Sequence, residues 1–414
     1  MRPKACRPHP FGYVDAHRKP ILWAITRALA NVIKKARRPP PAVAMTAAGP
    51  NRRRVLRTAV GVASFISAAP RIALPALADA QTPIIDAHTH IVRRLGEAGA
   101  RGGRRGGGGG GSGESLDVAV PAALAVMNRF GVTTAILAPH PSPTDREGTY
   151  GVAELQSVVH QQPDRFAFSA GGESLNPLIQ QTASDSVTPE LLARFTREAQ
   201  AIAAAGAAAF GELAAEHFSF ARKYPNHPYE SARPEHPLLL ALADIAAGYC
   251  MPVELHMEAV PRDMSFPDAE LAGSPNPAYL HENIAAFGRL LDHNPRARIV
   301  WVHAGWDLTG ERTVALMRSL LGAHRNLFMS VKSDPAGTPA TAPFMPGGGL
   351  KPGWLAMLQA FPDRFVVGSD QFYDSPPIRS ERARKFVDFL PPDLARAIAY
   401  ENVRHIYRLP AAAH

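Results

Sequence analysis

Residues 82–90 read TPIIDAHTH, and the fold is decided by what this stretch is and how often its pattern recurs. It is a short, nearly continuous apolar run that ends on polar, chemistry-bearing side chains. Similar runs follow at 132–139 (VTTAILAP), 166–171 (FAFSAG), 207–213 (AAAFGEL), 252–257 (PVELHM), 298–304 (RIVWVHA), 326–333 (NLFMSVKS) and 364–370 (RFVVGSD). A half-exposed antiparallel strand would alternate apolar with polar residues. Runs this uniformly apolar suit strands covered on both faces, as in a parallel sheet.

Helical stretches separate the runs. They are expected at 121–130, 189–206, 237–249, 280–295, 313–322 and 353–363, then at 380–390 and 392–407 after the last strand. Gly206 stands where a helix would be capped. Eight strands alternating with helices predict an α/β fold, the (β/α)8 barrel. An open doubly wound sheet would carry a Gly-rich phosphate turn after its first strand, and none is present.

Charge divides the chain. Of 45 Lys+Arg and 36 Asp+Glu, residues 1–78 hold fifteen bases and one acid, a net +14; the remainder is −5. The basic balance therefore belongs to a leader, and no nucleic-acid partner is expected for the body. Cys6 lies in the leader and Cys250 is alone in the body, so no disulfide within the body and no Cys-based metal site is expected.

Within the leader, NRRRVLR (51–57) precedes the uncharged run TAVGVASFISAAP (58–70) and the small-residue exit Ala76-Leu77-Ala78. That run is shorter than the roughly 20 residues a membrane-crossing helix needs, so it reads as a secretory signal. The paired arginines resemble the twin-arginine export signal. The expected organisation is a basic, Pro-rich stretch at 1–44, a signal peptide at 45–80 with translation starting at Met45, and a barrel at 81–410. The location would be periplasmic or secreted, with no stable membrane association after cleavage; a homo-oligomer is left open. Residues 96–115 (GEAGARGGRRGGGGGGSGES) are low in complexity and are expected to form a loop at the barrel rim, either a tolerated insertion or a lid.

The chemistry is expected at the strand ends. Residues two apart in a strand face the same way, so His88 and His90 point together. His256, His303 and Asp370 each end another candidate strand, on the face where barrel enzymes keep their active sites. Imidazoles and a carboxylate suit Zn2+ and similar divalent ions. Glu212 on the fourth strand is either a further metal-binding carboxylate or an acceptor orienting a ligand histidine. Trp306, Arg262 and Tyr373 are expected to shape a pocket for an aromatic or acidic small-molecule substrate. His217 and His140 are placed to reach the mouth. His227 and His236 read as loop-stabilising or solvated, and His160, His281, His293, His324 and His405 as surface residues on helices.

The segments IIDAHTHIV, PVELHME, WVHAGW and VVGSDQFY, with the terminal ENVRHIYRL, resemble the amidohydrolase superfamily, in particular its amidohydrolase-related branch of hydrolases and decarboxylases. The resemblance covers residues 81–410 and implies a barrel with a catalytic divalent metal. It implies His88, His90 and His256 as metal ligands, and His303 as an assistant to catalysis or ligand of a second ion. Asp370 would touch the metal and move the proton. Binuclear relatives often carry a bridging carboxylated lysine on the fourth strand, where this chain has none, so a single ion is expected. The expected reaction is hydrolysis of an ester, lactone or amide. The rival is metal-assisted decarboxylation of an aromatic or unsaturated acid, and the third class a non-catalytic binding protein on the same scaffold.

Overall fold

The computed structural model describes residues 81–91, 116–141, 150–222, 227–333, 339–373 and 378–410. The chain divides into two units, Met1–Asp79 and Ala80–His414, and the described residues belong to the second. The expected leader, signal peptide and Gly-rich loop therefore lie outside the described residues.

Eight parallel strands form the barrel wall: β1 (Ile84–His90), β2 (Val132–Leu137), β3 (Phe166–Gly171), β4 (Ala209–His217), β5 (Pro252–Met257), β6 (Arg298–Ala304), β7 (Leu327–Val331) and β8 (Phe365–Val367). Each pairs with its sequence neighbour, from β1 round to β8. Closure comes from the chain just after β8. Met329 to Val331 pair with Phe365 to Val367, while Gln371 and Phe372 pair in parallel with Thr89 and His90 of β1. Between these halves, Asp370 N donates to His88 O (2.9 Å) and Gly368 N to Val331 O (3.2 Å). A Cβ on Gly368 would lie 2.8 Å from Ser330 and 3.1 Å from His88, so only glycine lets β8 pass this close to both neighbours. The structure is the (β/α)8 barrel the sequence predicts.

Every residue of β1, β4 and β5 is buried, as continuous apolar strands require when helices cover one face and the barrel interior the other. Ile299 and Trp301 belong to the outer core between strands and helices. Val300 and Val302, alternating with them, belong to an inner cluster with Ile85, Ala87, Ile136, Ala209 and Val366. The last helix, Asn402–Tyr407, contributes Val403, Ile406 and Tyr407 to that inner cluster. Asn402 Nδ2 donates to Phe365 O (2.8 Å), and Arg298 Nη1 to Ile406 O (2.7 Å), which seats this helix under the N-terminal ends of β6 and β8. The opposite, C-terminal ends are left for the site.

Local chemistry explains several helix starts. Thr188 Oγ1 accepts from Leu191 N (3.2 Å) with Pro189 in the first turn, and Thr313 Oγ1 accepts from Leu316 N (3.2 Å). Gly206, at φ +86°, follows the helix Pro189–Ala204 as expected. No helix among the described residues is long and apolar enough to cross a membrane.

Candidate metal centre

The strand ends bring His88 and His90 of β1, Glu212 of β4, His256 of β5, His303 of β6 and Asp370 together in one buried cluster. Two sets of side chains have ligand atoms within 4.8 Å of one another: His88, His90 and Asp370, and His88, Glu212 and His303. His90 Nε2 lies 3.1 Å from Asp370 Oδ1 and 3.7 Å from Glu212 Oε2. His88 Nε2 is 3.4 Å from the same Glu212 oxygen, and His303 Nε2 is 3.8 Å from both Glu212 Oε1 and Asp370 Oδ1.

Hydrogen-bond accounting shows what this cluster lacks. His90 Nδ1 faces the carbonyl of Ala138 at 2.9 Å, so it must carry the hydrogen. In the neutral ring Nε2 is then an acceptor, aimed at carboxylate oxygens that are acceptors too. Both ring nitrogens of His88, Nε2 of His90 and both of His303 are buried without a hydrogen-bond partner. Buried acceptors facing acceptors are costly unless a cation lies between them. Burial opposes charging of His88, but the Glu212 and Glu254 carboxylates beside it prevail and push the imidazole well above its ordinary value. Burial also opposes ionisation of Glu212, and His88, His256 and His303 outweigh it, holding the carboxyl well below the usual range. The donor set and its unpartnered atoms fit a divalent cation with imidazole and carboxylate ligands.

The backbone pays local strain to build this cluster. His303 (φ +66°) and Asp370 (φ +57°) adopt the left-handed region, as otherwise do only the helix C-caps Cys250 and Arg408 among described non-glycine residues. Such conformations cost on the order of 1–3 kcal/mol and persist where surrounding contacts impose them.

His256 sits in the cluster beside Glu212. It belongs to neither set of converging ligand atoms. Its Nδ1 lies 2.8 Å from Glu212 Oε1 and its Nε2 3.7 Å from Glu258 Oε1. Burial opposes its charging, yet these carboxylates push it up to about 9. Glu212 therefore serves two directions, with Oε1 holding His256 and Oε2 facing His88 and His90.

Two cations that the sequence reading did not single out complete the cluster. Lys332, buried at the end of β7, places Nζ 2.6 Å from Asp370 Oδ2 and 3.7 Å from the centroid of the Trp306 ring. Arg379 Nη1 lies 2.9 Å from the same oxygen and also donates to Asp370 O. Burial would raise Asp370, but Lys332 and then Arg379 hold it well below the usual carboxylate range. Burial, followed by Lys332, keeps His303 well below its ordinary value and hence neutral. A lone lysine ending an apolar strand was the available signal for Lys332; Arg379 sits in the chain after β8, where no period marks it.

Of the expected pocket residues, Trp306 lines the site, its ring 5.8 Å from His303 and 6.2 Å from His256. Arg262 does not: its side chain is 67% exposed and pairs with Glu311 at 2.8 Å. Tyr373 does not either, because its ring packs in the outer core between strands and helices. His217 is buried and His140 half-buried beside the cluster, with His217 4.4 Å from His256 and His140 5.9 Å from His90, centroid to centroid. His227 joins them, 4.9 Å from His217, rather than standing in solvent; burial, then His217, pushes it down to about 2. His236 stabilises its loop by accepting from Leu238 N (3.2 Å) at the start of the helix Pro237–Tyr249.

No family model matches the chain, and no curated protein matches it. Solved structures similar to it include a TIM-barrel protein of uncharacterised function from Bordetella bronchiseptica, 15% identical, covering 79% of this chain and 99% of that one, TM-score 0.47. A 2,6-dihydroxybenzoate decarboxylase from Rhizobium is 14% identical over 80% of this chain and 99% of that one, TM-score 0.44. A probable 2-pyrone-4,6-dicarboxylic acid hydrolase from Acinetobacter baumannii is 14% identical over 78% and 99%, TM-score 0.42.

Proposed function

We propose that the protein is a metal-dependent hydrolase that cleaves an ester, lactone or amide bond of a small molecule. The observation that carries this reading is the set of buried imidazole and carboxylate atoms that converge without hydrogen-bond partners at the strand ends, His90 Nε2 facing Asp370 Oδ1 as acceptor to acceptor. His88, His90, Glu212 and Asp370 would hold a single ion, Zn2+ by the chemistry of the donors, with His303 beside it. A bound divalent ion supplies Lewis acidity, lowering the pKa of water and polarising a carbonyl oxygen.

The chain's own residues divide the remaining work. Lys332 and Arg379 both hold Asp370 Oδ2, which leaves Oδ1 turned toward His90 and His303. An ionised carboxylate so placed accepts a proton from water and passes it to the leaving group. Neutral His303 is a hydrogen-bond donor toward a developing oxyanion. Trp306, stacked on Lys332, closes one side of the site against bulk water.

The same geometry weighs against the alternative of decarboxylation, in which Asp370 would have to arrive protonated to deliver hydrogen to carbon. Two cations on one of its oxygens oppose that state. As part of this proposal the leader directs export, and the mature protein works outside the cytoplasm on a small-molecule substrate.

Metal analysis of the purified protein tests the reading. Close to one divalent ion per chain is expected, with most of it lost in His90→Gln. Near-full metal content in that variant would refute the assigned centre, and a stoichiometry near two would refute the single ion. With metal restored, turnover is expected in a panel of lactones, esters and amides. CO2 release from hydroxybenzoate-type acids, with that panel inert, would transfer the assignment to decarboxylation.

A further inference from the structure

Below the cluster lies a buried carboxylate that the proposed chemistry does not use. Glu254, two residues before His256 on the same face of β5, is completely buried. One of its oxygens, Oε1, accepts from the hydroxyl of Tyr407 at 2.8 Å. The other, Oε2, has no hydrogen-bond partner and lies 3.7 Å from His88 Nδ1, itself unpartnered. Gly211 makes room for this arrangement, since a Cβ there would lie 2.6 Å from both Cβ and Oε2 of Glu254.

Tyr407 belongs to the last helix, Asn402–Tyr407, whose Val403 and Ile406 pack into the inner cluster under the barrel. Its phenol is 3% exposed; burial, then Glu254, keeps it protonated, so it remains the donor. With Oε1 engaged from below, Glu254 can satisfy its second oxygen only from above, and His88 Nδ1 is the group that faces it. A hydrogen placed on Nδ1 leaves the lone pair on Nε2, the nitrogen that points to Glu212 Oε2 across 3.4 Å.

Resting on the metal-centre reading above, we infer that Tyr407 and Glu254 are positioning residues that fix the Nδ1–H tautomer of His88 and so commit its Nε2 to the metal. The end of the chain thereby reaches the site through the barrel interior, 153 positions from Glu254. A carboxylate behind a ligand histidine raises the basicity of that ligand, and its loss typically weakens metal binding 10–100-fold.

The test is a Zn2+ titration of the chelator-stripped full chain against a chromophoric competitor, with unfolding of the metal-free proteins measured alongside. Glu254→Gln is expected to weaken Zn2+ about 10–100-fold. Tyr407→Phe, which removes one hydroxyl, is expected to weaken it several-fold and to add little in the Glu254→Gln background. Ring 15N shifts of the Zn2+-loaded wild type should show His88 protonated on Nδ1. Affinity within twofold of wild type in folded Glu254→Gln, or His88 protonated on Nε2, would overturn the inference and leave the metal centre standing. Should Glu254→Gln fail to fold, unchanged affinity in Tyr407→Phe does the same. A wild-type protein that binds no Zn2+ would overturn both readings.

Discussion

Lys332→Met is the most informative single perturbation, because it removes charge while keeping most of the side-chain volume. Lys332 is 3% exposed and holds Asp370 Oδ2 at 2.6 Å. Removing one partner of a buried ion pair costs about 3–5 kcal/mol, since the other charge stays behind uncompensated. Here Arg379 still holds the same oxygen at 2.9 Å. The loss should therefore fall near the lower bound, about 3 kcal/mol, or roughly 6 °C in Tm for a domain of this size. The direction with pH follows from Asp370, whose folded value lies well below its ordinary one. A depressed carboxyl contributes stability that is complete above the unfolded value near 4 and disappears as pH falls through the folded value. The gap between wild type and variant should be full at pH 7 and shrink progressively below pH 4. Urea unfolding of chelator-treated protein across that range measures it. A variant within 1 °C of wild type at pH 7, or a gap that does not shrink on acidification, would refute the assignment of Lys332 as the counter-charge of Asp370.

Gly211→Ala should destabilise by about 1–3 kcal/mol, because the new methyl would overlap Glu254 at 2.6 Å and the inner barrel has no room to relax. A thermal midpoint equal to wild type would show that Glu254 can move aside. Asp307 is raised to about 7 by burial and then by Glu258, so its neutral form is the one the fold favours. A raised carboxyl contributes stability that is full below the unfolded value near 4 and lost as pH climbs to 7. Asp307→Asn should therefore gain about 2–3 kcal/mol relative to wild type between pH 5 and pH 8, read from urea unfolding at both values. An identical offset at the two pH values would contradict a neutral Asp307 in the folded state.

The sequence shows the barrel strands clearly because burial on both faces writes itself into every residue of a run such as PVELHM, which forms β5 over the expected Pro252–Met257. Two helices escaped that reading. Leu175–Gln180 spans six residues and contains Pro177, too little for a period to register, and Val152–Gln161 buries only Leu155 and Val158. The last strand, read as continuous over 364–370, stops at Val367 and resumes at Gln371, because Asp370 takes a left-handed φ that no composition announces. The stretch 392–407 is interrupted by a π-helical turn at Ala397–Glu401. Spacing placed His256 on the inward face. Whether its nitrogen meets an ion or a carboxylate depends on Glu212, 44 residues earlier, and that is settled only in three dimensions.

Departures from ordinary local rules concentrate where the chemistry is proposed. Unpartnered ring nitrogens on His88, His90 and His303, left-handed backbone at His303 and Asp370, and a buried lysine at the end of β7 would each count against a fold if scattered. They gather at the C-terminal ends of four strands, and the unpartnered nitrogens share one remedy, a positive charge among the imidazoles and carboxylates. A proton on His88 meets part of that demand but satisfies only His88 and its two glutamates. It leaves His90 Nε2 facing Asp370 Oδ1 at 3.1 Å and His303 Nε2 without a partner. A divalent cation held by His88, His90, Glu212 and Asp370, with His303 beside it, answers the demand of those four side chains at once, so the strain stored at Asp370 and His303 reads as preorganisation for an ion.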